Sequence, residues 1–309
     1  MRTRRSLIDL DDLSAEEIAY VFERTAAFER RPPGRLLEGV ACVNMFFEQS
    51  TRTYTSFALA QLRLGADVIT LSPRDLSLAS KGETIEDTAL TLSAMGIGVL
   101  VIRHPEPGFP RTVALAFDGH VINAGDGGHA HPTQALLDLF TLKEEFSEIA
   151  GRTVAIVGDI VHSRVAHSSI RGLKRLGARV VLVGPEPFLP VSYEEPGVAV
   201  VRDLDAILPD ADAVVLLRIQ RERFETMPME LDEYVRDYRL DARRLRRLRH
   251  DAIVMHPGPY NRGVELDDAV LEYAGWRYAR QVRHGVAVRM AVLDFLVNGI
   301  TAQSTSHAC

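Results

Sequence analysis

The sequence predicts an α/β protein of two doubly wound domains, each built on a mainly parallel sheet. Short runs that are apolar throughout, such as Val99-Leu100-Val101-Ile102, alternate with helix-period segments, the pattern of parallel strands covered on both faces. That alternation runs in two series, the second beginning at Gly151. The length of 309 residues also favours two cores, since one core usually stops growing at ~250–300 residues.

Each element follows from local signals. Ser14-Ala15-Glu16-Glu17 has capping-box spacing, and Ile18, Val21, Phe22 and Thr25 continue it as an amphipathic helix. Residues 30–34 break that helix, and 40–47 read as the first buried strand. A second helix has Phe57, Leu59, Ala60, Leu62 and Leu64 as its apolar positions. A short strand at 67–71 leads into a polar loop at 72–82. Residues 83–95 are helical, 99–102 a strand, 111–117 a helix and 121–123 a strand. Pro132 suits the first turn of the next helix, whose apolar face is Ala135, Leu136, Leu139, Phe140 and Leu142. In the second series, strands fall at 153–157, 179–183, 198–201, 213–217 and 252–255. Helices fall at 164–176, 203–208 and 241–248, and the arginines of 243–249 read as the wet face of the last. A final helix covers 286–296.

Hydrophobic residues make up 46% and charged residues 25%, the composition of a soluble globular protein. A net charge of −6 argues against a general nucleic-acid coat. Two cysteines, Cys42 and Cys309, exclude a disulfide scaffold and a cysteine-based zinc site. The chain contains no apolar run of the ~20 residues a membrane span needs and no signal-peptide core, so a cytoplasmic location is expected.

Ligands of open α/β sheets bind beyond the carboxyl ends of the strands. Six such ends carry polar motifs: Ser50-Thr51-Arg52-Thr53, Arg103-His104, His131-Pro132-Thr133-Gln134, Arg164, Arg218-Ile219-Gln220 and His256-Pro257-Gly258-Pro259. Their arginines, histidines and glutamines, with few acids among them, suit a cleft for a strongly anionic ligand. Ser50 to Thr53 joins hydroxyls and a guanidinium to a helix start, where backbone N–H groups lack partners and the helix dipole is positive. A plain reading stands beside it: Ser50 or Thr51 is an N-cap, His131 a helix-start histidine, Arg103 a strand terminus and Lys81 a solvated loop residue.

These motifs, in order and with similar spacing, resemble the catalytic chains of the aspartate/ornithine carbamoyltransferase superfamily, the aspartate branch in particular. Phe46-Phe47-Glu48-x-Ser50-Thr51-Arg52-Thr53 is similar to the carbamoyl-phosphate loop, and Ser77-x-x-x-Lys81-Gly82-Glu83 to a loop lent to a neighbouring subunit. Gly125-Asp126-Gly127, Gly158-Asp159-x-x-His162-Ser163-Arg164, Leu217-Arg218-x-Gln220 and His256-Pro257-Gly258-Pro259 continue the series. The resemblance implies transfer of the carbamoyl group from carbamoyl phosphate to the amine of L-aspartate, in the cleft between the two domains. Ser50, Thr51, Arg52 and Thr53 would hold the phosphate with Lys81 of an adjacent subunit. Arg103, His131 and Thr53 would donate to the carbonyl oxygen, which makes Arg52, Thr53, Arg103 and His131 the catalytic set. Gln134 and the Pro257 and Gly258 carbonyls would accept from the carbamoyl NH2. Arg164, Arg218, Gln220 and Lys81 would hold aspartate. No metal or cofactor is implied, since the departing phosphate can take the amine proton.

Ornithine-type relatives carry a cysteine in a His-Cys-Leu-Pro turn and a Ser-Met-Gly segment. This chain has His256-Pro257-Gly258-Pro259 and Arg218-Ile219-Gln220, and two arginines suit a dicarboxylate. Two residues depart from the family pattern: Tyr54 replaces the usual arginine, and Gln49 a proline, alanine or asparagine. Tyr54 is expected to weaken carbamoyl phosphate binding relative to Tyr54→Arg while activity is retained. The implied domains are residues 1–134 for carbamoyl phosphate and 151–284 for aspartate. A helix at 135–150 would link them, and residues 285–309 would pack back on the first. A homotrimer or a higher oligomer of trimers is implied, with a regulatory chain or a dihydroorotase as candidate partners. The competing readings are a non-catalytic phosphate-ligand-binding homologue and a transcarbamoylase with another amine acceptor.

Overall fold

In the computed structural model, residues 5–31, 33–72, 82–190, 196–220 and 229–300 are described. The chain divides into two compact units: Met1–Ile8, Asp12–Ala124 and Val286–Cys309 form one, and Asp9–Asp11 with Gly125–Gly285 the other.

In the first unit the capping box closes both ways at α1 (Ala15–Arg30): Glu17 N donates to Ser14 Oγ at 3.2 Å and Ser14 N to Glu17 Oε2 at 2.8 Å. The elements β1 (Ala41–Phe46), α2 (Thr51–Arg63), β2 (Asp67–Leu71), α3 (Ile85–Ala94), β3 (Ile97–His104), α4 (Phe109–Ala116) and β4 (His120–Asp126) follow, the last two residues of β4 being counted with the second unit. Their sheet has the order β2-β1-β3-β4, with β1 parallel to both β2 and β3. Because β2 lies on one side of β1 and β3 on the other, the winding reverses between β1 and β3. Val43, Met45, Leu100, Ile102, Val113 and Phe117 fill the core.

Two expectations change here. The buried stripe of α2 is Phe57, Ala60, Gln61 and Leu64, while Leu62 is 62% exposed. At 100° per residue those four share a face, which Leu62 leaves for the opposite side. Gln61 is tolerated inside because its amide exchanges two hydrogen bonds with Asn44, at 2.8 and 3.0 Å. The strand β2 is not covered on both faces: Asp67, Ile69 and Thr70 are exposed, as befits an edge strand.

The second unit holds α5 (Pro132–Phe146), β5 (Thr153–Val157), α6 (Arg164–Arg175), β6 (Arg179–Val183), β7 (Val198–Val201), α7 (Leu204–Ile207) and β8 (Ala213–Leu216). It continues with α8 (Leu231–Tyr238), α9 (Ala242–Leu245), β9 (Ile253–Met255) and α10 (Asp268–Glu272). The last helix, α11 (Tyr278–Asn298), begins in this unit, and its residues from Val286 belong to the first. The sheet order is β7-β6-β5-β8-β9, with every pair parallel, so the winding reverses between β5 and β8. Helices α8 and α10 were not expected from the sequence. Tyr234 and Tyr238, four residues apart on α8, are the buried pair that fixes its inner face. Arg244 is a correction to the wet arginine stretch. It is 4% exposed, pairs with Asp205 at 3.1 Å and donates to the Arg239 and Arg236 carbonyls. Burial alone would raise the Asp205 pKa, but the Arg244 hydrogen bond and the charges of Arg244, Arg243 and Arg247 pull it below the usual range.

Candidate active site

In the first unit, the switch point between β1 and β3 gathers the Ser50–Thr53 motif and Arg103. Phe46 pairs in register with Arg103, and Phe47 N donates to the Arg103 carbonyl at 2.9 Å. Arg103 is the penultimate residue of β3, with Nη1 donating to the Ala124 carbonyl of β4 at 3.3 Å and Nε 3.2 Å from Glu48 Oε2. Ser50 occupies the N-cap of α2 in an extended conformation, yet its hydroxyl makes no capping hydrogen bond. No acidic residue occupies the first turn. The plain reading of Ser50 as a side-chain cap therefore fails. The start of α2 presents backbone N–H groups and the exposed Thr51, half-buried Arg52 and buried Thr53 side chains. Tyr54 turns the other way: its hydroxyl is 2.9 Å from Thr70 Oγ1 on β2, and its ring meets Phe46 edge-on.

The second unit assembles its motifs around its own switch point. Leu217 N donates to the Val157 carbonyl at 2.8 Å, which sets Arg218 beside the Gly158-Asp159 turn. Gly158 has φ +127°, and a Cβ there would stand 3.2 Å from Leu217 and 3.3 Å from the Tyr234 hydroxyl, so glycine is required. Arg164 opens α6 and is 8% exposed. At this helix, unlike α2, the N-cap hydroxyl of Ser163 does accept, from Ala166 N at 3.1 Å. His131 caps α5 and is 4% exposed, with its backbone N donating to Ser168 Oγ of α6 at 2.9 Å. Gln134 lies one turn on, its Nε2 donating to Asp138 Oδ1 at 3.0 Å.

The turn at 256–259 is held from inside. His256 is fully buried, and its Nδ1 accepts from Gly258 N at 2.8 Å, so the ring proton belongs on Nε2, 3.3 Å from Glu265 Oε1. Gly258 has φ +67°, which suits glycine, and Pro257 and Gly258 are half-buried. Glu265 also accepts from Asn261 N, and Asn261 Nδ2 donates to the Ile219 carbonyl at 3.4 Å. Arg218 and Gln220 flank that residue and are half-buried.

Within the first unit the structure thus brings Ser50, Thr51, Arg52, Thr53 and Arg103 to one sheet end. Within the second, Gln281 donates to Asp138 and accepts from His256 N, completing a hydrogen-bonded frame that links the segments carrying Gln134, Pro257, Gly258, Arg218 and Gln220. Ser77 and Lys81 lie outside the described residues. Sequence reasoning passed over Glu48 as a partner of Arg103, although its place in the loop motif was a signal. It also passed over His129, whose Nδ1 is 3.0 Å from Asp126 Oδ2 just ahead of His131. Asp138 and Gln281 were missed as well. Asp138 could have been found four residues after Gln134, whereas Gln281 had no local signal.

The carbamoyl-P binding domain model of aspartate/ornithine carbamoyltransferase matches residues 5–144, and the Asp/Orn binding domain model residues 150–296. The chain is 48% identical over 297 residues to the aspartate carbamoyltransferase catalytic subunit of Salinispora arenicola, covering 94% of this chain and 96% of the relative. It is 50% identical over 295 residues to that of Thermobifida fusca, covering 95% and 92%. Two solved structures of Trypanosoma cruzi aspartate transcarbamoylase are similar throughout. The one with carbamoyl aspartate and phosphate has a TM-score of 0.87 at 32% identity, covering 97% of each chain. The one with carbamoyl phosphate and aspartate has a TM-score of 0.86 at 30% identity, covering 97% of this chain and 98% of that one. With both domain models matched and relatives near half identity along almost its whole length, the chain belongs to the aspartate/ornithine carbamoyltransferase family.

Proposed function

We propose that this chain transfers the carbamoyl group of carbamoyl phosphate to the amine of L-aspartate, giving N-carbamoyl-L-aspartate and phosphate, an early step of pyrimidine synthesis in the cytoplasm. The observation that carries this reading is the start of α2, where Ser50 makes no side-chain cap and Arg103 stands at the adjacent strand end. The aspartate carbamoyltransferase relatives support the choice of reaction. Ser50, Thr51, Arg52 and Thr53 bind the phosphate. Arg103, His131 and Thr53 stabilise the carbonyl oxygen as the aspartate nitrogen attacks the carbamoyl carbon. The C–O bond to phosphate then breaks, and the leaving phosphate takes the amine proton. Gln134 and the Pro257 and Gly258 carbonyls accept from the carbamoyl NH2, because a carbonyl can accept where an N–H cannot. Arg164, Arg218 and Gln220 hold the aspartate carboxylates, joined by Lys81 and Ser77 of a neighbouring subunit in a homotrimer or an oligomer of trimers. Regulatory chains or a dihydroorotase are the partner classes to seek.

Steady-state phosphate release tests the reaction. It is expected only with both carbamoyl phosphate and aspartate present, and not when ornithine replaces aspartate. Folded protein that releases no phosphate at millimolar substrates overturns the reading in favour of a binding homologue. His131→Ala is expected to lower kcat by about 100-fold or more, the usual effect of removing a donor to a developing oxyanion.

A further inference from the structure

Beneath the proposed acceptors of the carbamoyl NH2, the second unit contains a buried relay of three side chains. Asp138 Oδ1 accepts from Gln134 Nε2 at 3.0 Å and from Gln281 Nε2 at 2.7 Å. Gln281 turns its Oε1 to the backbone of the 256–259 turn, accepting from His256 N at 3.0 Å. Gln134, Asp138 and Gln281 are 8%, 3% and 2% exposed, and His256 is fully buried.

A glutamine amide is nearly symmetric in shape and opposite in hydrogen-bonding sense at its two ends. Left alone, Gln134 presents either its oxygen or its NH2 to a ligand. A carboxylate only accepts, so Asp138 holds the NH2 end of Gln134 and leaves Oε1 as the outward group. Oε1 receives no hydrogen bond from the described residues. The same carboxylate oxygen holds the NH2 end of Gln281, which fixes the Gln281 oxygen on His256 N and so anchors the turn carrying the Pro257 and Gly258 carbonyls. His256 continues the constraint through Nδ1 to Gly258 N.

We propose that Asp138 and Gln281 are positioning residues that set the polarity of the carbamoyl-recognition site. They present acceptors only, and so select a carbamoyl NH2 over a methyl group of the same size. This rests on the proposed function and assigns its donor-substrate selectivity to residues outside contact with substrate. The relay also accounts for a buried carboxylate in α5: it supplies an acceptor that no backbone group at that depth of the helix has left to offer.

The experiment compares three ligands on the full-length protein: carbamoyl phosphate, acetyl phosphate, which replaces NH2 by CH3, and inorganic phosphate. The variants are Asp138→Leu, Asp138→Asn and Gln281→Met, each checked for folding by circular dichroism and thermal unfolding. Wild-type protein is expected to bind carbamoyl phosphate more tightly than acetyl phosphate. In Asp138→Leu and Gln281→Met that preference should fall about ten-fold, with acetyl phosphate and inorganic phosphate affinities unchanged. Asp138→Asn keeps one acceptor oxygen and should retain most of the preference, which makes it the conservative rescue and the variant to rely on if leucine prevents folding. Folded Asp138→Leu or Gln281→Met that loses all three ligands in parallel, or none, overturns the proposal. So does a wild-type enzyme that turns over carbamoyl phosphate without preferring it to acetyl phosphate. Absence of any wild-type turnover with aspartate instead overturns the proposed function itself.

Discussion

Tyr54 stands where the family loop usually has arginine, and the structure gives its side chain a different task. Its hydroxyl is 2.9 Å from Thr70 Oγ1 at the sheet edge, and its ring packs edge-on against Phe46. An arginine there would act on a phosphate through solvent, so its benefit should be small and screened by salt. Tyr54→Arg is expected to lower the KM for carbamoyl phosphate about three-fold at low ionic strength and hardly at all near 1 M salt. Tyr54→Phe removes only the Thr70 contact and should leave that KM unchanged; a rise on loss of the hydroxyl alone would place Tyr54 in the binding loop. Cys42 offers a second test on one side chain. It is fully buried, and burial together with the Asp67 carboxylate pushes its thiol up to about 12. In a Cys309→Ser background, native protein should therefore resist a thiol reagent at pH 8 and react only when unfolded.

At the scale of elements, the apolar period revealed most strands and helices but misjudged where polarity is buried. The reciprocal amides of Asn44 and Gln61 join β1 to α2, and both residues are fully buried. Gln61→Leu would leave the Asn44 amide unsatisfied and should cost about 2–4 kcal/mol in urea unfolding. Replacing both partners by apolar residues should recover part of that loss. Leu62→Ser on the exposed face should change stability by less than about 0.5 kcal/mol. Ser50 to Thr53 were legible because they are contiguous and sit where an apolar strand stops. Gln61 was illegible because its partner is 17 residues away and periodicity scores only apolar side chains. Gln281 was more so, since its Asp138 partner lies 143 residues away. Helix α8 escaped because its buried face is two tyrosines among three acids and an arginine, a pattern that reads as surface until Tyr234 is seen in the core.

At the scale of the whole molecule, two quantities depend on more than one site: global stability and the completeness of the active centre. His284 bears on the first. Burial, with the positive charges of Arg280 and Arg283 outweighing Glu145, lowers its pKa from 6.5 to about 4, and its Nδ1 lies 2.8 Å from Thr141 Oγ1. Between those two pH values the unfolded chain binds a proton that the folded one refuses, so stability falls as pH drops from 6.5 to 4. The loss should reach at most ~3 kcal/mol, and His284→Gln should flatten that part of the curve in urea unfolding across the same range. The second quantity concerns Lys81 and His131, which the proposed function assigns to different subunits of one site. Lys81→Ala and His131→Ala should each be nearly inactive alone. In a closed ring of three built from both variants, one junction in each mixed ring pairs an intact His131 with an intact Lys81 from its neighbour. After subunit exchange at equal amounts, about a quarter of wild-type activity should therefore return. Exchange demonstrated by mass-labelled subunits without any recovery would mean that each chain completes its own site, and the shared-loop assignment of Ser77 and Lys81 would have to be withdrawn.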